Sequence, residues 1–320
     1  MIKICKIHCL SEALSPITHM MGVSGNESVL NRESVLYNGT IRQIPFISGN
    51  ALRHKMIREP GALHLVKACG LEGKLNLDQA NYLFNGGSLT ESSATENLGK
   101  IAEMQELLPL IRLLGGSLRN QVIGGSLIVG RGILVCEENR ETIQKMLPEA
   151  FTFPEHRLRS AEDFINQYQY TRGDAQKRSD AGKLIGEKET DGTNLMIYSG
   201  QSVIRGAVFY HNFIMQNISE LEIGALLNAL HEWDNLGGTI GGYGRIGHGK
   251  LKLSFSAECY NDSEEIDITG IVKRYREYCD KNRDKITDWL TAAFPKKEKK
   301  AKPEKKLAKE LAESAQGELI

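Results

Sequence analysis

The sequence predicts an α+β fold of the split βαβ kind, in the order strand, helix, strand, strand, helix, strand. Three observations carry that prediction. Residues 2–10 (IKICKIHCL) alternate with the period of a half-buried strand. Residues 219–233 place Ile223, Leu226, Leu227, Leu230 and Trp233 on one helical face, behind a Ser219–Glu222 pair with capping-box spacing. Residues 250–256 (KLKLSFS) alternate again, directly after a glycine-dense loop. With the elements between them, these give a modified ferredoxin-like, RRM-like βαββαβ core.

The elements follow in order. Ser15-Pro16 breaks the first strand, and a polar loop is expected to about Gly39. Ile44–Ile47 is a short extended entry, and Ser48 is placed to cap a helix GNALRHKMIRE that Pro60 should end. Leu52 and Met56 share its core face, while His54 and Arg58 share another. A helical insertion fills about 61–126, in which three GGSL repeats (from Gly86, Gly115 and Gly124) mark turns. Leu127–Cys136 (LIVGRGILVC) reads as one buried strand. Residues from about Tyr170 to Thr193 form an excursion too hydrophilic for a core and too long for an ordinary connection. Leu195–Ser199 and Val203–Met215 read as strands joined by a turn at Gly200, and 268–294 as a last amphipathic helical region packed on the sheet.

Composition is that of a globular chain, with no apolar run near the ~20 residues of a membrane span. The start lacks the pattern of a secretory signal, and six scattered cysteines never form C-x-x-C. We therefore expect buried, inert thiols, a cytoplasmic location, no metal and no cofactor. The 40 basic and 40 acidic residues balance, but unevenly. Residues 296–320 hold eight lysines and five glutamates, which leaves 40 − 8 = 32 basic and 40 − 5 = 35 acidic residues in a core of 1–295. The lysine-rich tail is too poor in apolar residues to fold alone. Any nucleic-acid contact must then come from a local basic stripe.

Asn235–Leu251 (NLGGTIGGYGRIGHGKL) is the most informative segment. Gly242, Gly244 and Gly247 spell G-x-G-x-x-G, and Gly244–Lys250 spells most of a P-loop, with Leu251 where that loop needs a hydroxyl. Both motifs require a strand before and a helix after, whereas this loop runs from helix to strand. That order speaks against a nucleotide-dependent enzyme. What remains is a glycine backbone able to approach a polyanion, carrying Tyr243, Arg245, His248 and Lys250. A solvated glycine turn is the plainer alternative.

Four segments in the same order as in a known family carry a resemblance: SPITHMMG (15–22), IPFISGNALRHKMIRE (44–59), YTRGDAQ (170–176) and GGYGRIGHGKL (241–251). Together they resemble the RAMP-superfamily backbone subunits of CRISPR effector complexes, most of all type IV, with type I as the runner-up. The resemblance implies a subunit that lines up in copies along a CRISPR RNA, each holding a fixed short run of nucleotides. It implies a thumb at about 170–193 that displaces a base, pairing of the guide with target DNA or RNA, and contacts with other effector subunits rather than a membrane. The RNA-binding residues it points to are His19, Ser48, Gly49, Asn50, Arg53, Lys55 and Arg58 near the first helix. To these it adds Arg172, Lys177 and Arg178 in the thumb, and Gly242, Tyr243, Gly244, Arg245, His248 and Lys250 in the glycine loop. Arg53, Lys55 and Arg58 could equally be a solvated helix face, and Tyr243 could stack on a base or pack beneath the loop.

No catalytic role is expected. Related RNA-processing nucleases use a histidine near this loop, for which His8, His19 and His248 are the candidates. Target-cleaving type III subunits use an aspartate after strand one, where this chain offers only Glu27 and Glu33. A precursor-processing endoribonuclease is the alternative to a non-catalytic subunit.

Overall fold

The computed structural model describes residues 2–24, 27–89, 98–172, 196–261, 264–265 and 267–295. The chain opens with β1 (Ile2–Ala13), followed by β2 (Met20–Ser24), β3 (Glu27–Leu30), β4 (Arg32–Tyr37) and β5 (Thr40–Ile47). A continuous helical stretch comes next: α1 (Gly49–Leu52), a π-turn (Arg53–Arg58) and α2 (Glu59–Ala68). Then come α3 (Leu77–Asn85), α4 (Leu98–Leu107), α5 (Pro109–Leu114), the hairpin β6 (Gly116–Leu118) and β7 (Gln121–Ile123), and β8 (Leu127–Val129) and β9 (Gly132–Leu134). The second half holds α6 (Arg140–Met146), β10 (Ile165–Arg172), β11 (Met196–Val203), β12 (Val208–Ile218), α7 (Glu220–Asn235), β13 (Leu251–Asn261), β14 (Glu264–Glu265), α8 (Ile271–Lys281) and α9 (Arg283–Ala293).

The main sheet runs β14-β13-β1-β12-β9-β5-β4, with β8 also on β12, and its paired strands are antiparallel. Its centre, β13-β1-β12-β9, is the spatial order of a ferredoxin-like core, so the α+β expectation holds. Ile7, Cys9, Phe209, Phe213 and Met215 are buried on the face covered by the helices. There α7 packs on α2, α5 and α8. Val135, Ile143, Val208 and Tyr210 form a smaller cluster under α6, so part of the face left open in an RNA-recognition fold is covered here. Glu222, wholly buried, accepts from the Ser219 N–H at 2.9 Å and pairs with Arg112 at 2.8 Å, which ties the helical insertion to α7.

Several sequence expectations are corrected. Pro60 does not end the helix. The π-turn before it hands the Glu59 N–H to the His54 carbonyl, and the wider ring carries the helix past the proline. The loop expected to Gly39 contains β2, β3 and β4, and the insertion contains the β6–β7 hairpin as well as helices. Leu127–Cys136 is broken between Val129 and Gly132 into two short strands. Gly200 is not a turn: β11 pairs with β10 straight through it, and the position takes glycine because a Cβ there would lie 2.6 Å from the Tyr168 hydroxyl that crosses it. The C-terminal helical region is two helices meeting at Asn282. Cys5 and Cys259, opposite each other on β1 and β13, are joined as a disulfide rather than standing as inert thiols; Cys9, Cys69, Cys136 and Cys279 are free and buried. No helix among the described residues is long and apolar enough to cross a membrane. The tail 296–320 lies outside the described residues.

Burial gives the fold a definite pH dependence. His211 is fully buried beside the Ser11 hydroxyl at 2.9 Å, and burial pushes its pKa down to about 3. A histidine held below its unfolded value stabilises fully above that value, and the contribution is lost as pH falls toward the folded pKa. From His211 alone we expect about 2 kcal/mol less stability at pH 5 than at pH 7. Burial shifts His8, His19, His64 and His248 the same way. Urea midpoints that stay flat or rise between pH 7 and pH 5 would contradict this.

Candidate nucleic-acid interface

Two residues just after β1 join segments that lie some two hundred positions apart. The Thr18 carbonyl accepts the Gly242 N–H at 2.8 Å, and the Thr18 hydroxyl meets His248 Nδ1 at 2.7 Å. His19 faces the other way, where its Nε2 accepts the Ser48 N–H at 3.1 Å and its ring stands edge-on to Phe46. Thr18 is wholly buried. The glycine loop and the entry to α1 are therefore fixed to one short peptide. Burial lowers the pKa of both His19 and His248, which favours their neutral, accepting forms.

The loop itself is a narrow β-ladder closed by a 3₁₀ turn. Ile240 N–H bonds to the Gly249 carbonyl at 2.9 Å, and Gly249 N–H to the Pro16 carbonyl at 2.8 Å. Tyr243 sits in the left-handed region at φ 60, held by its hydroxyl against Ser28 Oγ at 2.9 Å. Its ring meets Tyr168 and His248 edge-on at 6.0 and 6.1 Å. Tyr243 is thus in contact with the second sheet as well as with its own loop. Gly242 lies where a Cβ would come within 2.9 Å of Met20, whereas Gly244 faces open space. Arg245 and Lys250 are exposed, and among the described residues neither side chain forms an ion pair.

The first helix divides its candidates sharply. Ser48 caps α1 by accepting the Ala51 N–H at 3.2 Å. Gly49 is there for space, since a Cβ would lie 2.7 Å from the Val129 carbonyl oxygen, while Asn50 is exposed. Arg53 is half-buried without an ion pair among the described residues, and burial lowers its pKa. Lys55 bonds Glu59 at 2.7 Å one helical turn on. Such exposed pairs are worth only about 0.3–0.5 kcal/mol, so a phosphate can displace the carboxylate. Arg58 departs from the expected phosphate clamp. It is 7% exposed, donates to the Gly115 carbonyl at 2.9 Å, and lies against Gly86, so it holds the insertion to the helix. Burial first, then the neighbouring Arg53, pushes its pKa down to about 10.

Arg172 ends β10, and Lys177, Arg178 and the rest, beyond Arg172, of the thumb expected at about 170–193 lie outside the described residues. Glu33 is engaged by Arg131 at 2.8 Å, and that guanidinium also lies 5.0 Å over the Phe46 ring. His8 Nδ1 meets the Tyr210 hydroxyl at 2.8 Å on the sheet's smaller core. Among the described residues no group of three or more His, Cys, Asp or Glu is placed to hold a metal ion.

Sequence reading missed a second, four-stranded sheet, β10-β11-β3-β2, beside the loop. Tyr168, Tyr170 and Tyr198 line one face of it. Tyr168 and Tyr170 are nearly parallel at 6.5 Å, and Tyr170 and Tyr198 at 5.0 Å. Burial, reinforced by Tyr243, pushes the Tyr168 phenol up to about 12. The alternation in QYQY (167–170) was the available signal.

The fold and the site thus define an α+β protein with a ferredoxin-like core and a clamped glycine loop beside an aromatic sheet. No protein-family model and no curated protein matches the chain. Among solved structures it shares its fold with a chain from a structure titled "Type IV-B CRISPR Complex", at 18% identity and a TM-score of 0.50, over 78% of this chain and 90% of that one.

Proposed function

We propose that this chain is a non-catalytic backbone subunit that lines up in copies along a CRISPR RNA and presents the guide to target nucleic acid, alongside other effector subunits. The observation that carries this reading is the Thr18–His19 bridge. It fixes the glycine loop with Arg245 and Lys250, and the helix entry that leads to Arg53, to one rigid peptide, while none of the three cations forms an ion pair among the described residues. Unpaired Arg and Lys beside exposed glycine backbone suit phosphate, which positions a strand without reading its sequence. The fold likeness to a chain of a type IV-B CRISPR complex and the four ordered motifs support the same reading.

A non-hydrolytic role is part of the proposal. His8, His19 and His248 each bond a hydroxyl or an amide rather than a carboxylate, and burial lowers each pKa. The deciding experiment expresses the full chain with and without a CRISPR array. Guide-length RNA in a large particle is expected. Trimmed precursor beside monomeric protein would replace the proposal with the endoribonuclease reading, and the absence of RNA would remove both.

Binding should be electrostatic and indifferent to guide sequence. Three phosphate contacts per copy, at ~0.7 each, give a log–log salt slope of about −2 per copy, and Arg245→Ala should reduce its magnitude by about 0.7. A preference above about 2 kcal/mol for one guide over another would indicate base readout and count against the reading.

A further inference from the structure

We infer that the tyrosine face of the second sheet is a stacking site for the bases of a single-stranded nucleic acid, continuous with the glycine loop; this rests on the RNA-binding reading above. Tyr168, Tyr170 and Tyr198 belong to neither apolar core among the described residues, and Tyr170 is 39% exposed. Their ring planes lie within 9° and 12° of each other. Rings that serve only to fill a core meet at edge and face angles as readily as in parallel. Tyr170 stacks against both of the other rings, and a base of any identity can extend such a row of stacked rings.

The two faces of this sheet differ in chemistry. On the tyrosine face the strand alternation adds Asn166, Ser202 and Gly200, with no carboxylate. Gly200 gives the Tyr168 ring its room to lie across the neighbouring strand. The other face carries Glu27 and the amides Gln167, Gln169 and Gln201 around a polar cavity of about 390 Å³. That face holds one carboxylate and the Arg32 guanidinium, which donates to Gln201 at 3.1 Å, whereas the tyrosine face offers mainly rings. Continuity with the loop selects the occupant: Tyr168 touches Tyr243 at 6.0 Å and His248 at 5.4 Å, both edge-on. A strand whose phosphates lie on the loop therefore has its bases within reach of the rings.

The test compares two strands of equal length and charge on the full chain by fluorescence anisotropy: a short mixed-sequence RNA and its abasic counterpart. The base-bearing strand should bind at least about tenfold more tightly, the scale of one base–aromatic stack. Tyr170→Leu with Tyr198→Leu should bring that ratio close to one while abasic binding is unchanged, and Tyr170→Phe with Tyr198→Phe should keep it. Equal binding of both strands by the unmodified protein overturns the inference while leaving phosphate binding intact, and so does a ratio that survives the leucine pair. If neither strand binds, the RNA reading fails and the inference with it. If the leucine pair instead abolishes self-association without RNA, the face is a contact between copies and the inference is wrong.

Discussion

Gly249→Ala should unfold the glycine loop and lower global stability by roughly 2–5 kcal/mol, the sum of a left-handed penalty and an overpacked contact. Gly249 has φ +93 and is buried, and a Cβ there would run into the Ile240 carbonyl oxygen, which is backbone and cannot swing aside. Because the Gly249 N–H also holds the Pro16 carbonyl, the strain passes to the Thr18–His19 peptide. RNA affinity should fall with stability. Gly244→Ala is the matched control, since its Cβ meets nothing within 4 Å and its φ is not in the left-handed range. Equal urea midpoints for the two variants would show that the loop is not clamped as described.

Replacing Gly173–Asp191 with a short Gly-Ser linker should leave the fold intact and abolish regular protection of bound RNA. Strands β10 and β11 pair residue for residue up to Arg172 and Met196, so the ladder already brings the two ends of the excursion together. A short linker can close that gap with little entropic penalty, since loop-closure entropy varies slowly with length. Arg245→Ala with Lys250→Ala should do the reverse, weakening binding while keeping the spacing of whatever remains bound. Nuclease footprints separate the two. A protection ladder that survives the replacement would mean that the excursion does not set the spacing.

What the sequence disclosed follows physical rules. Residues 2–10 and 219–233 were legible because each carries a full period of buried residues against one core, from Ile7 and Cys9 to Leu226 and Trp233. The strands between Met20 and Tyr37 were not, because β2 and β3 pair in the smaller sheet and β4 only edges the main one, with Met21 and Leu36 exposed and no continuous apolar face buried. Pro60 and Gly200 misled for a related reason. Each was read by its usual local effect, but a π-turn in one case and a neighbouring tyrosine ring in the other decided the outcome. At the site, the glycine loop and Ser48 were visible as motifs. The Thr18–His248 contact was not, since only the sheet topology brings residues so distant in sequence together. Arg58 looked like its neighbours on the helix, and only the position of Gly115 shows it to be structural.

The central place of β1 has a consequence for synthesis. Its neighbours are β12 and β13, paired from Ile2 to Ile218 and from Ile4 to Tyr260, so this strand is flanked only by strands made much later than itself. At the usual 5–20 residues per second, roughly 10–50 s separate the emergence of Ile2 from that of Asn261. Until β12 emerges this isoleucine-rich strand has both edges unpaired, and until β13 follows it still has one, a state open to pairing with other nascent chains. Expression yield in this protein should therefore depend on translation speed and chaperone supply more than on the stability of the finished fold, and synonymous recoding that speeds elongation through residues 200–261 is the direct way to shorten the exposure.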